Sequence, residues 1–226
     1  MGPLDIRLTS LSFDDWVKHV FDHEVRDPQW YFDLEAPIWS APASLSIEHM
    51  TRLFLDPMPA LAGFDDGQLN QGFWYLVSNG GSDHMFALTD ASVALEARLG
   101  CLESFVTLFE RLFAVRCSGH LSHRSPPGAS PLNGACYMWW DIIPFFGNPD
   151  DATHRDVDAM ALSVMDRTLA LDSLACRESA LHGLGHWHAR YPTRVEEIID
   201  DALDRARAWP PELIAYAGMA RTGCVL

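Results

Sequence analysis

Apolar residues recur along this chain at helical spacing. From Ser46 onward, Ile47, Met50, Leu53 and Phe54 fall on one helix face, and Pro57 and Pro59 end the run. Upstream, Ser12 stands as a cap before Asp14 and Asp15, and Trp16, Val17, Val20 and Phe21 form the buried stripe of a first helix. Asp65 and Asp66 open a third helix, whose inner side is Leu69, Phe73, Leu76 and Val77 and whose stop is Asn79-Gly80-Gly81. The longest periodic segment, 92–116, carries Val93, Leu95, Leu99, Leu102, Val106, Phe109, Leu112 and Phe113 and predicts a buried central helix. The aromatic run 137–146 reads as a short buried helix. Helices are then expected over 154–170, 171–189, 193–208 and 210–220, with short connections.

Two stretches break the pattern. Between Asp27 and Pro42, prolines alternate with Trp30, Tyr31, Phe32 and Trp39, the composition of an ordered loop pinned by large rings. The segment 118–134 is rich in proline, glycine and serine; it is the one position for a domain subdivision, or else a surface excursion of a single domain spanning 1–226. No run of alternating β-branched residues with hairpin turns occurs, so the fold class expected is all-α.

Shifting the chain on itself sets Cys101-Leu-Glu103-Ser104 against Cys176-Arg-Glu178-Ser179, with Val106, Phe109 and Leu112 opposite Leu181, Leu184 and Trp187, and small Gly100 opposite Ala175. In the second copy, Cys176 to Trp187, then Tyr191-Pro192, then Val195-Glu-Glu-Ile-Ile-Asp200, resembles one helix-turn-helix unit of HEAT-like repeat proteins, over about 171–208. The resemblance implies an α-α superhelix or an array of helical hairpins, irregular in the N-terminal half, whose usual work is protein binding.

Composition narrows the partners. With 16 basic and 31 acidic side chains the formal net charge is -15, which disfavours nucleic acid and anionic membranes and makes a basic protein the natural electrostatic partner, although acidity also serves solubility. The five cysteines include no Cys-x-x-Cys pair, the first ten residues lack the form of a secretory signal, and no apolar run reaches membrane-spanning length. A cytoplasmic protein without a cofactor is the expectation.

Candidate surfaces and chemistry follow. On the 193–208 helix, Val195, Ile198, Ile199 and Leu203 take the buried stripe and leave Glu196, Glu197, Asp200, Asp201 and Asp204 as a solvated face or a docking surface. Trp74, Trp139 and Trp140 lie in aromatic clusters that cannot all point inward unless helices surround them, so they are candidate recognition residues. Glu178, His182 and His186 are spaced by four and would share one helix face, as metal ligands require, with Asp200 or Asp201 as a fourth donor. The zinc-protease signature fails, because Gly183 stands where the general-base glutamate belongs. Gly183 and Gly185 instead suggest close approach of a neighbouring segment. His120 and His123, with Cys117, sit in the long loop and lack a completing set.

The functional expectation is a non-enzymatic helical scaffold that binds a protein partner as an adaptor or an inhibitor of immunity type. The alternative is a metal-dependent hydrolase using the histidine pair.

Overall fold

The computed structural model describes residues 7–124, 127–206 and 208–225; the first six residues, Ser125 and Pro126 of the long loop, Arg207 of the expected 193–208 helix and Leu226 lie outside the described residues. The chain is all-α. Helices α1 (Phe13–Phe21), α2 (Ala43–Leu55), α3 (Pro57–Leu61) and α4 (Asp66–Val77) form the N-terminal part, together with a two-residue parallel pairing of β1 (Arg7–Leu8) with β2 (Ile38–Trp39). A continuous helical rod follows: α5 (Leu95–Leu108), a π-helical turn over Phe109–Phe113, and α6 (Ala114–Arg116). The C-terminal part comprises α7 (Leu132–Ile142), α8 (Arg155–Leu169), α9 (Leu174–Trp187), α10 (Pro192–Arg205) and α11 (Pro211–Ala220).

Local chemistry sets the helix starts. Ser12 caps α1 by accepting from the Asp15 amide, and Asp65 and Gln68 close a reciprocal capping box on α4. Ser173 caps α9 through the Cys176 amide. Among the described residues, no helix is long and apolar enough to cross a membrane.

The helix at the middle of the C-terminal part is α9, which packs against α7, α8, α10 and α11. Such enclosure explains why its apolar residues do not form a single stripe: eleven of its fourteen residues are buried. Gly183 makes the α7–α9 contact possible, because a Cβ there would lie 2.6 Å from Cβ and Cγ of Trp140. Gly185 admits Val225 of the C-terminal segment rather than a helix, its added Cβ falling 2.6 Å from the valine methyl groups. Gly100 differs. Nothing lies within 4 Å of its added Cβ, so the small-residue contact suggested by the internal echo is absent there. The rod's α5 and the hub α9 both pack on α8.

Trp139 and Trp140 are fully buried, which corrects their expected place on a recognition surface. The reason is tertiary: α7 is covered by α4, by α9 and by the π-helical turn. Trp139 meets Phe54, Phe73, Phe105, Phe109 and Phe113 with ring centroids 5.2–6.1 Å apart, tying the two parts of the chain through one aromatic nucleus. Trp74 remains half-buried at the edge of the core.

A second nucleus combines rings with histidines. His84 is wholly buried, accepts from Trp16 Nε1 at 2.9 Å, and stacks on Trp39 at 5.4 Å with an 8° interplanar angle. His19 bonds the Tyr75 hydroxyl at 3.0 Å, and His23 stacks on Trp30 at 3.8 Å. Burial pushes the His84 imidazole down to about 3 and the His19 imidazole down to about 4.

Candidate metal centre

Helix α9 presents Glu178, His182 and His186 in register, and the structure separates the first from the other two. The Glu178 carboxylate, fully buried, turns toward the long loop and accepts from the Ser122 amide at 2.6 Å, the His123 amide at 3.0 Å and His123 Nδ1 at 2.6 Å. Three donors satisfy this buried carboxylate and hold the loop against α9. Asn133 holds the same loop from α7, accepting from the Ser118 amide at 2.9 Å and donating to the Ser118 carbonyl at 3.0 Å. Glu178 is therefore occupied as a loop clamp, a correction to its expected role as a metal ligand.

Asp141 of α7 takes the place expected of Glu178. Its Oδ1 lies 3.3 Å from His186 Nε2, which lies 3.2 Å from His182 Nε2, and donor atoms of the three side chains fall within 4.8 Å of one another. Two imidazole nitrogens and a carboxylate oxygen at these separations can share one cation, since donors about 2.1 Å from a tetrahedral ion stand about 3.4 Å apart. Asp141 and His186 are partly exposed and His182 is buried, so the group opens to solvent on one side.

The rest of the pocket fixes His182. Its Nδ1 bonds the Tyr216 hydroxyl of α11 at 2.8 Å, and that hydroxyl lies 3.2 Å from the Tyr137 hydroxyl of α7. The Tyr137 ring lies over His182 at 4.2 Å, and His123 stacks on Tyr216 at 4.4 Å. With Nδ1 committed to a hydroxyl, Nε2 is the nitrogen aimed at His186 and Asp141, an outer-layer arrangement common at metal-binding histidines. Burial, with the nearby His186 and His123 charges, pushes His182 down to about 3, leaving a neutral imidazole at neutral pH.

The other sequence candidates are placed elsewhere. His188 pairs with Glu196 at 3.2 Å, and Arg221 takes Asp200 through two bonds of 2.7 and 2.9 Å and lies 3.5 Å from Glu196. Asp200 is thus tied to an arginine rather than directed toward the histidines. His120 bonds the Ser118 hydroxyl within the loop. Glu197, Asp201 and Asp204 remain exposed on α10.

No family model, curated protein or solved structure matches the chain. The fold and this side-chain group therefore define it as an all-α protein with a candidate two-histidine, one-carboxylate centre.

Proposed function

We propose that the protein is a metal-dependent hydrolase, with Asp141, His182 and His186 holding a divalent ion such as zinc on an all-helical body. The observation that carries this reading is the convergence of three donor atoms from two helices within 4.8 Å, on the solvent-facing side of a buried histidine. Asp141, His182 and His186 would hold the ion through three protein donors, and such an ion would supply a Lewis acid with an open position for water, as catalytic rather than closed structural sites do. The chain's own contribution is rigidity: Tyr216 orients His182, and the α7–α9 contact fixes Asp141 relative to both histidines.

Loading the purified protein with Zn2+ or Co2+ and measuring bound metal tests the assignment. About one equivalent is expected, with affinity falling at least about 100-fold in His182→Ala and in Asp141→Asn. Folded Glu178→Gln retains the metal, because that carboxylate faces the loop. Loss of metal in Glu178→Gln alone, or sub-stoichiometric binding in the wild type, refutes the ligand set.

A second reading rests on a separate observation. Arg221 and His188 engage Glu196 and Asp200, whereas Glu197, Asp201 and Asp204 stay exposed along α10, next to an Ile-rich stripe that is buried. This face suits a basic partner protein on a HEAT-like helical scaffold. Reversing Glu197 and Asp201 to lysine leaves stability within about 0.5 kcal/mol, since neither side chain contributes to the core. The same change abolishes salt-sensitive capture of basic proteins on the immobilised chain. Undiminished capture by the reversed variant rejects the face.

A further inference from the structure

A cavity of about 240 Å³ lies where the C-terminal ends of α8 and α10 meet the first turns of α9. Leu169, Ala202 and Ala206 supply apolar lining, and the half-buried Trp209 joins them. Two guanidiniums, Arg177 and Arg205, complete the charge of the site; among the described residues that line it there is no aspartate or glutamate. The chain carries 31 acidic side chains against 16 basic ones, so a lining with two cations and no carboxylate runs against its composition.

Neither guanidinium is saturated by the protein. The Arg177 side chain is only 17% exposed and lies 5.6 Å over the Trp209 ring, yet it makes one hydrogen bond, from Nη2 to Asp172 Oδ1 at 3.3 Å. Asp172 is fully exposed, and an ion pair with so solvated a partner is worth little. Arg177 Nε is buried without a hydrogen-bond partner among the described residues, a donor whose desolvation nothing offsets. Arg205 gives Nε to the Asp201 carbonyl at 2.9 Å and Nη2 to Asp166 at 3.5 Å, and its Nη1 has no protein acceptor among the described residues. Guanidinium donors form a planar fork that matches a carboxylate. An incoming carboxylate that displaces Asp172 therefore takes Nε and Nη2 of Arg177 together. The indole and the alanines select the rest of the ligand: a bare inorganic anion leaves them unused, whereas a planar ring covers them.

We infer that the cavity lined by Arg177, Arg205 and Trp209 binds a small aromatic carboxylate. The carboxylate pairs with the arginines, and the ring packs on Trp209 and the apolar lining. A volume of about 240 Å³ admits a single ring rather than a drug-sized molecule. A neutral ligand of the same shape keeps the apolar contact and loses the charge-assisted bonds. The site uses none of Asp141, His182 and His186 and stands whether or not a metal is bound.

Ligand-observed NMR on the full chain tests the inference, with benzoate, its neutral isostere benzamide, and inorganic phosphate as probes. Benzoate binds saturably in the millimolar range, and benzamide and phosphate each bind at least about tenfold more weakly. Arg205→Gln, at an exposed position, weakens benzoate several-fold and leaves benzamide unchanged. Arg177→Lys keeps the charge but loses the fork, and it too weakens benzoate. Benzoate binding survives His182→Ala; its loss there places the anion at the histidines and overturns the assignment. Equal affinity for benzoate and benzamide, phosphate binding as tight as benzoate, or undiminished benzoate binding in both arginine variants overturns it as well.

Discussion

Acidification from pH 7 to 4.5 removes about 7 kcal/mol of folding stability through His19, His84 and His182, comparable to the whole margin of a stable domain. All three folded values are depressed, to about 4 for His19 and about 3 for His84 and His182, against about 6.5 for an unfolded histidine. Below pH 6.5 the unfolded chain therefore binds protons that the folded chain refuses. Stability is fully present above 6.5, and each histidine removes about 1.4 kcal/mol per pH unit as pH falls toward its folded value. Surface carboxylates such as Asp200 and Asp33, held below their ordinary range by Arg221 and by the Glu35 amide respectively, act lower, near and below pH 4. The window from 6.5 to 4.5 thus reports the histidines. Urea denaturation at half-unit pH steps checks this: the expected slope corresponds to about three protons taken up on unfolding. A flat profile through this window contradicts the neutral state of these three histidines.

Gly183→Ala is expected to destabilise the protein by about 2 kcal/mol, although alanine is the better helix former by about 1 kcal/mol. The added methyl would stand 2.6 Å from Cβ and Cγ of Trp140 and 2.8 Å from the Met165 sulfur. The sulfur sits near the end of a flexible side chain and can move. The Cβ and Cγ atoms of a fully buried indole cannot move without shifting α7, which also carries Asp141. Gly183→Ala should consequently loosen metal binding as well as the fold. Gly100→Ala supplies the contrast: it also sits within a helix, has open space around it, and should gain about 0.5 to 1 kcal/mol. Denaturant midpoints of the two variants measured side by side decide the matter. Equal stabilisation of both would show that the α7–α9 contact yields freely.

The amino-acid sequence by itself determined the helices, because helix signals are local. Apolar spacing over 154–170 and 210–220 foretold α8 and α11 to within a residue or so, and Asp65 with Gln68 set the start of α4 through hydrogen bonds spanning three residues. The spacing of His182 and His186 by one helical turn was equally legible, and the structure brings their Nε2 atoms to 3.2 Å. Glu178 shares that spacing, yet spacing along a helix says nothing about what covers each turn, and a loop 55 residues away claims its carboxylate. Asp141 was missed because it reaches the histidines only through the α7–α9 packing. The one hint was a lone carboxylate in the otherwise apolar run Trp139-Trp140-Asp141-Ile142-Ile143. Trp139 and Trp140 were misplaced for the same reason: consecutive rings on one helix can all be buried when neighbours close around it. Residue periodicity fixes the direction of a side chain relative to its own helix, whereas burial and partnership depend on contacts between segments distant in sequence, and only the tertiary structure decides those.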